Sequence, residues 1–260
     1  MEVFNAAARY WSEWGSELKQ HAGPRDGALK RPALFVQLLS HARHHSPVAV
    51  LTTSLPERVA GDRNYDYRYA WIRDASLSLA FLAGMGGERE VSAYLKWLAR
   101  LRSETEEPIQ VCHRIDGDPR LKEEEIDSAR GYKDSQPVRK GNRAARQPHL
   151  GSMGLFANSA RIYLAQGGEW RDDFWKLLRR APEFTCRHWK ETDNGICELV
   201  EKAHYVSGTS RPARAGGALL LAVFGNGKRN RPDLRGPSPN SNVGEPGSAA
   251  NAGHAKKSAE

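Results

Sequence analysis

Val91-Ser-Ala-Tyr-Leu-Lys-Trp-Leu-Ala-Arg-Leu101 carries apolar residues at 91, 94, 95, 98 and 101. Steps of three and four put them on one face of an amphipathic helix. Upstream, Ala75–Met85 is apolar on most sides and stops at Gly86-Gly87, a helix C-terminal signal. Further out, Leu29, Val36 and Leu39 predict a helix from about Gly27 to His44, with Pro32 in its opening turn. Downstream, Met153, Phe156, Ala160, Tyr163 and Leu164 repeat the spacing, as do Phe174, Leu177, Leu178 and Ala181. Pro182 is expected to kink or end that last helix early. Only Val48–Thr53 has strand character. The fold class is therefore all-α.

Composition sets the outer limits. The chain has 260 residues, 39% hydrophobic and 27% charged, enough apolar material for one sizeable core or two small ones. Its longest apolar run, Ala218–Phe224, is far too short to span a bilayer. The first residues have neither the basic nor the apolar region of a secretion signal. Three widely spaced cysteines, Cys112, Cys186 and Cys197, suit reduced thiols better than a disulfide framework. A cytoplasmic protein is expected, with no membrane partner. Oligomeric state is not legible.

The net charge of +8 is uneven. Residues 207–260 hold eight Lys/Arg against three Asp/Glu, so the rest of the chain carries only +3. That places most of the surplus in a tail and disfavours nucleic acid as a partner. The same tail has nine glycines and five prolines. Residues 209–260 are expected to be a basic, disordered tail, following one domain over 1–208.

Two long polar loops, Ser54–Asp74 and Pro108–Gln147, separate the helices, and loops of that length are commonly functional. The first contains Arg63-Asn-Tyr-Asp-Tyr-Arg-Tyr-Ala-Trp-Ile-Arg-Asp74. Tyr65, Tyr67, Tyr69 and Trp71 are spaced by two, so an extended chain would set all four on one face. Aromatic faces suit C–H-rich sugar rings, while Arg and Asp offer paired donors and acceptors to adjacent hydroxyls. The same residues would equally serve as an aromatic plug in a core, with Arg73 paired to Asp74. A second candidate is Asp193-Asn-Gly-Ile-Cys-Glu198, where Glu198 follows a turn beside Ile196 and Leu199. Desolvation there would raise its pKa, as a general acid needs; a plain surface glutamate is the alternative. His41 and His45 lack a third metal ligand, and Asp116-Gly-Asp118 lacks the calcium-loop pattern. The run Arg139, Lys140, Arg143, Arg146 reads more readily as a solvated face than as a phosphate site. Neither a metal nor a cofactor is expected.

These stretches, in order, resemble glycoside hydrolase family 15, in its bacterial glucoamylase and trehalase-like branch. Thr52-Thr-Ser-Leu-Pro-Glu57 and the aromatic run to Asp74 are followed by Ile115-Asp-Gly117, Gly131-Tyr132, Pro137-Val-Arg139 and Gly141-Asn142. Asn194-Gly-Ile-Cys-Glu198 and His204-Tyr-Val-Ser-Gly208 complete the series. The resemblance covers roughly residues 8–208. It implies part of an (α/α)6 barrel and inverting hydrolysis of α-glucosides or trehalose. By motif match, Arg73 and Asp74 would hold the terminal glucose, with Tyr67 and Trp71 lining that subsite. Arg139 would fall on another sugar-contacting arginine, and Glu198 on the general acid.

Departures accompany the likeness. Cys197 stands where the family usually has Trp, Arg143, Arg146 and Pro148 intrude after Gly141-Asn142, and Gly151 stands where a carboxylate is common. The likeness stops after Gly208, before the segment that supplies the family's general base. The expectation is a truncated, impaired glycosidase, and the alternative a non-catalytic sugar-binding or scaffold fragment.

Overall fold

The computed structural model describes residues 1–20, 26–101, 110–169, 171–188 and 190–195. Glu198, Cys197 and the 209–260 tail lie outside the described residues. Six helices dominate: α1 (Glu2–Glu17), α2 (Asp26–Leu39), α3 (Ile72–Gly84), α4 (Glu88–Leu101), α5 (Leu150–Ala165) and α6 (Asp172–His188). The all-α expectation holds, and the helices form part of an (α/α)6 barrel. α3 is central, packing against α2, α4 and α5, while α6 covers α5 and α4. The core between them holds Leu79, Leu82, Tyr94, Leu95, Leu98, Phe156, Tyr163 and Leu177. Apart from Leu79 and Leu82, which come from the run that is apolar on most sides, those are the positions that the three-and-four spacing marks, because such a stripe leaves water along the whole helix.

The structure departs from the sequence reading in four places. α2 ends at Leu39 rather than His44, because Ser40 bridges to Pro47 and residues 42–44 turn away. Pro32 lies inside that helix, not in its opening turn. α6 runs six residues beyond Pro182, with Leu178 and Ala181 before the proline and Thr185 after it all buried. Tertiary burial on both sides outweighs the lost backbone bond. Val48–Thr53 forms no regular strand: the chain bends at Ala49 and Leu51, and its backbone pairs with the aromatic loop instead.

α1 is an element that the hydrophobic pattern does not announce. Only Trp14 on it is buried, its indole N–H donating to Glu90 at 2.8 Å, while Val3, Phe4 and Tyr10 face solvent.

The two long loops carry small pairings of their own. β1 (Ala70–Trp71) pairs antiparallel with β2 (Cys112–His113), and β3 (Glu124–Glu125) with β4 (Arg139–Lys140). A second, smaller core forms beneath them from Trp71, Val111, Cys112, Leu121, Ala144 and Ala145, with Tyr67 and Tyr69 packed alongside.

Candidate functional site

Backbone hydrogen bonds tie the aromatic loop to residues 49–54. The amides of Ala49, Val50 and Ser54 donate to the carbonyls of Tyr69, Tyr67 and Tyr65 at 3.1, 3.4 and 3.0 Å. Asp66, fully buried, fastens the loop from below. Its carboxylate accepts from Arg68 Nε and Nη2 at 2.9 and 3.0 Å and from the Tyr69 hydroxyl at 3.0 Å. Burial alone would raise the Asp66 pKa, but these hydrogen bonds outweigh it and hold the carboxyl below its ordinary value. The Tyr69 oxygen also accepts the Gly141 N–H at 2.9 Å, and Asn142 Nδ2 donates to the Asp66 carbonyl at 3.1 Å. The first loop is thereby locked to the second.

Above this lock the candidate residues form one continuous row. The Arg139 guanidinium lies 5.3 Å from the Tyr65 ring, Tyr65 is 6.2 Å from Tyr67, and Tyr67 is 6.0 Å from Trp71. The Arg73 guanidinium then lies 6.0 Å from the Trp71 ring. Asp74 follows in the first turn of α3, its Oδ2 3.7 Å from Arg73 Nε. Thus Tyr67, Trp71, Arg73, Asp74 and Arg139 are brought together. Tyr69 is diverted to the lock beneath. At the open end the Asp74 side chain is 44% exposed, and a carboxylate so placed can accept from an incoming hydroxyl.

Arg139 sits at the closed end. Its Nη1 donates to the Asp62 carbonyl at 2.7 Å, and its Nη2 lies 3.3 Å from Glu125 and its Nε 3.6 Å from Glu123. Its side chain is 11% exposed. Its backbone is held too: Arg139 N–H donates to Ser54 Oγ at 2.8 Å.

Residues 193–195, just before Glu198 in the chain, are tied to the head of α5. The buried Asp193 accepts the Leu150 N–H at 3.1 Å, one of the α5 first-turn donors, and the Gly195 N–H at 3.0 Å. Asn194 N–H donates to the Pro148 carbonyl at 3.2 Å. Next to this anchor is His149, 6% exposed, its Nε2 3.1 Å from Gln147 Oε1. Burial, and secondarily the charge of Arg73, lowers the His149 pKa to about 4. Glu198 itself is outside the described residues.

Sequence reasoning does not find Asp66, Asn142, His149 or Asp193 as parts of this assembly. Asp66 and Asp193 stand inside stretches quoted for other residues, and polarity alone does not reveal that both are buried. Among the described residues no three His, Cys, Asp or Glu side chains gather as a metal requires.

Comparison with known proteins agrees with the motif order. The family described as "Glycosyl hydrolases family 15" matches residues 41–225, a span that continues past Gly208. The trehalase of Mycolicibacterium smegmatis is 33% identical over 201 residues, covering 76% of this chain and 30% of the relative. The trehalase of Mycobacterium tuberculosis is 32% identical over the same length. That of Thermoplasma acidophilum is 32% identical over 198 residues, 76% of this chain and 34% of its own. The chain therefore spans about a third of the length of these relatives. No solved structure matches it. With a family match over most of its length, the chain belongs to glycosyl hydrolase family 15.

Proposed function

We propose that this protein binds the terminal glucose of an α-glucoside, trehalose or a maltose-type end, as part of an inverting glycosidase site. The observation that carries the reading is the row from Tyr65 through Tyr67 and Trp71 to Arg73, ending on half-exposed Asp74. Tyr67 offers a face to the ring, backed by Trp71, which is 2% exposed and belongs to the smaller core, and Arg73 and Asp74 offer a donor–acceptor pair to neighbouring hydroxyls. Arg139, whose guanidinium is engaged by protein groups, holds the far end of the row rather than the sugar itself.

Glu198 is assigned the general acid that protonates the glycosidic oxygen, while a base opposite it would activate water. It stands three positions beyond Gly195, a reach of at most about 11 Å from a turn anchored beside His149. Neither a cofactor nor a nucleic-acid or membrane partner enters this reading. A cytoplasmic setting goes with it; among the described residues no helix is long and apolar enough to cross a membrane. A second reading is a non-catalytic sugar-binding or scaffold fragment, favoured by the pairing of the loop carboxylates Glu123 and Glu125 with Arg139.

The test is calorimetric titration of the full chain with trehalose and maltose beside Asp74→Asn. Loss of a hydrogen bond to a charged group should weaken binding roughly tenfold or more. Equal affinity in the two proteins would remove Asp74 from the site and with it this reading.

A further inference from the structure

Buried polar atoms in a folded protein nearly always find a partner, so those that do not call for an explanation. Three that lack one lie around the start of α3: Trp71 Nε1, Asp74 Oδ2 and Tyr94 Oη. Tyr94 is the most telling. Its ring lies on the core face of α4, 0% exposed and 5.5 Å from Trp97. A phenylalanine would fill that place equally well on packing grounds, and would bury no hydroxyl.

The Tyr94 hydroxyl lies within electrostatic reach of Asp74, whose charge adds to burial in raising the phenol's pKa. Yet the two groups make no hydrogen bond to each other. Two buried polar atoms on the packed helices α3 and α4 thus act on each other while neither has a hydrogen-bond partner. Asp74 reaches from this pair to the surface, since its side chain is half exposed while Oδ2 is buried. One hydroxyl of a bound polyol would satisfy both atoms at once, donating to Oδ2 and accepting from Tyr94.

We infer that Tyr94 is a further substrate-binding residue, which with Asp74 Oδ2 forms the floor of the sugar site and holds a single hydroxyl. The inference rests on the glucose-binding reading above. It adds selectivity to that reading, because an analogue without the hydroxyl leaves two buried groups unmet.

The experiment is trehalose titration of the full chain, Tyr94→Phe, Asp74→Asn and the double variant, each with a thermal melt. Removing an unpartnered hydroxyl should leave the melting temperature of Tyr94→Phe equal or higher, while affinity for trehalose falls roughly tenfold. The double variant should be no weaker than Asp74→Asn alone, since one shared hydroxyl is lost only once. Unchanged affinity in Tyr94→Phe, with Asp74→Asn weakened, overturns this inference and leaves the glucose-binding reading standing. A lower melting temperature with unchanged affinity overturns it too, assigning the Tyr94 hydroxyl a structural role. Unchanged affinity in Asp74→Asn, or no binding by the parent chain, removes both.

Discussion

His149 at the head of α5 is a buried imidazole beside an arginine, and both features oppose its protonation. Its pKa in the fold is about 4 against an ordinary value of 6.5. The unfolded chain therefore takes up the proton first as pH falls. Stability from this group is complete above about pH 6.5 and declines as pH drops toward about 4, by a few kcal/mol in all. Asp66 acts in a lower window, because its carboxyl is held below 3.8 and loses its contribution only as pH falls through that lowered value. Urea unfolding at pH 7.5 and 5 should thus show a loss that His149→Gln largely removes. An equal loss in both proteins would mean that another group titrates. No sequence pattern discloses this residue, since a histidine's chemistry here comes from burial and from Arg73, seventy-six positions away.

At the scale of elements, what was legible depended on how much of each one is buried. α3, α4, α5 and α6 place apolar stripes in one core, and the three-and-four spacing records that burial directly. α1 has one buried side chain, Trp14, so its pattern carries no such record. The four short strands are two residues each, set by contacts between distant loops rather than by local alternation. The candidate row was legible as residue types because its members are close in sequence. Its lock was not, because Tyr69 meets Gly141, and Asp66 meets Asn142, only through the fold. The turn at Asp193–Gly195 gives a direct test of such a distant tie. Asp193 satisfies the Leu150 amide much as a capping residue would, from 43 positions away. Asp193→Ala should cost about 1–2 kcal/mol and speed hydrogen exchange at the Leu150 amide. Unchanged exchange there would show that the turn is held by other contacts. Gly141 is tied in similarly: at φ 83° it lies against Lys122, and an added Cβ would meet that carbonyl oxygen. Gly141→Ala should therefore disturb the β3–β4 pairing, read as a fall in melting temperature.

On the scale of the whole molecule, the proposed chemistry makes a demand on carboxylates, because inverting hydrolysis needs an acid and a base about 6.5–9.5 Å apart. With Glu198 as the acid, a base would have to come from elsewhere, and the loop carboxylates are poor substitutes. Asp118 is held to about 2, chiefly by its hydrogen bonds from Arg120, and Asp116 is lowered chiefly by Arg114. A carboxylate that gives up its proton so readily is a weak base. Glu123 and Glu125 are paired with Arg139, and Glu123 also faces Arg143. The 260-residue chain should therefore bind glucosides without hydrolysing them at a useful rate. Losing a general base typically costs roughly 10²–10⁴-fold, and a site less closed to water loses more. Glucose release from trehalose and maltose should match the background of Glu198→Gln. Turnover that Glu198→Gln abolishes would mean that a carboxylate of this chain serves as the base after all, and Glu123→Gln and Glu125→Gln would be the variants to measure next.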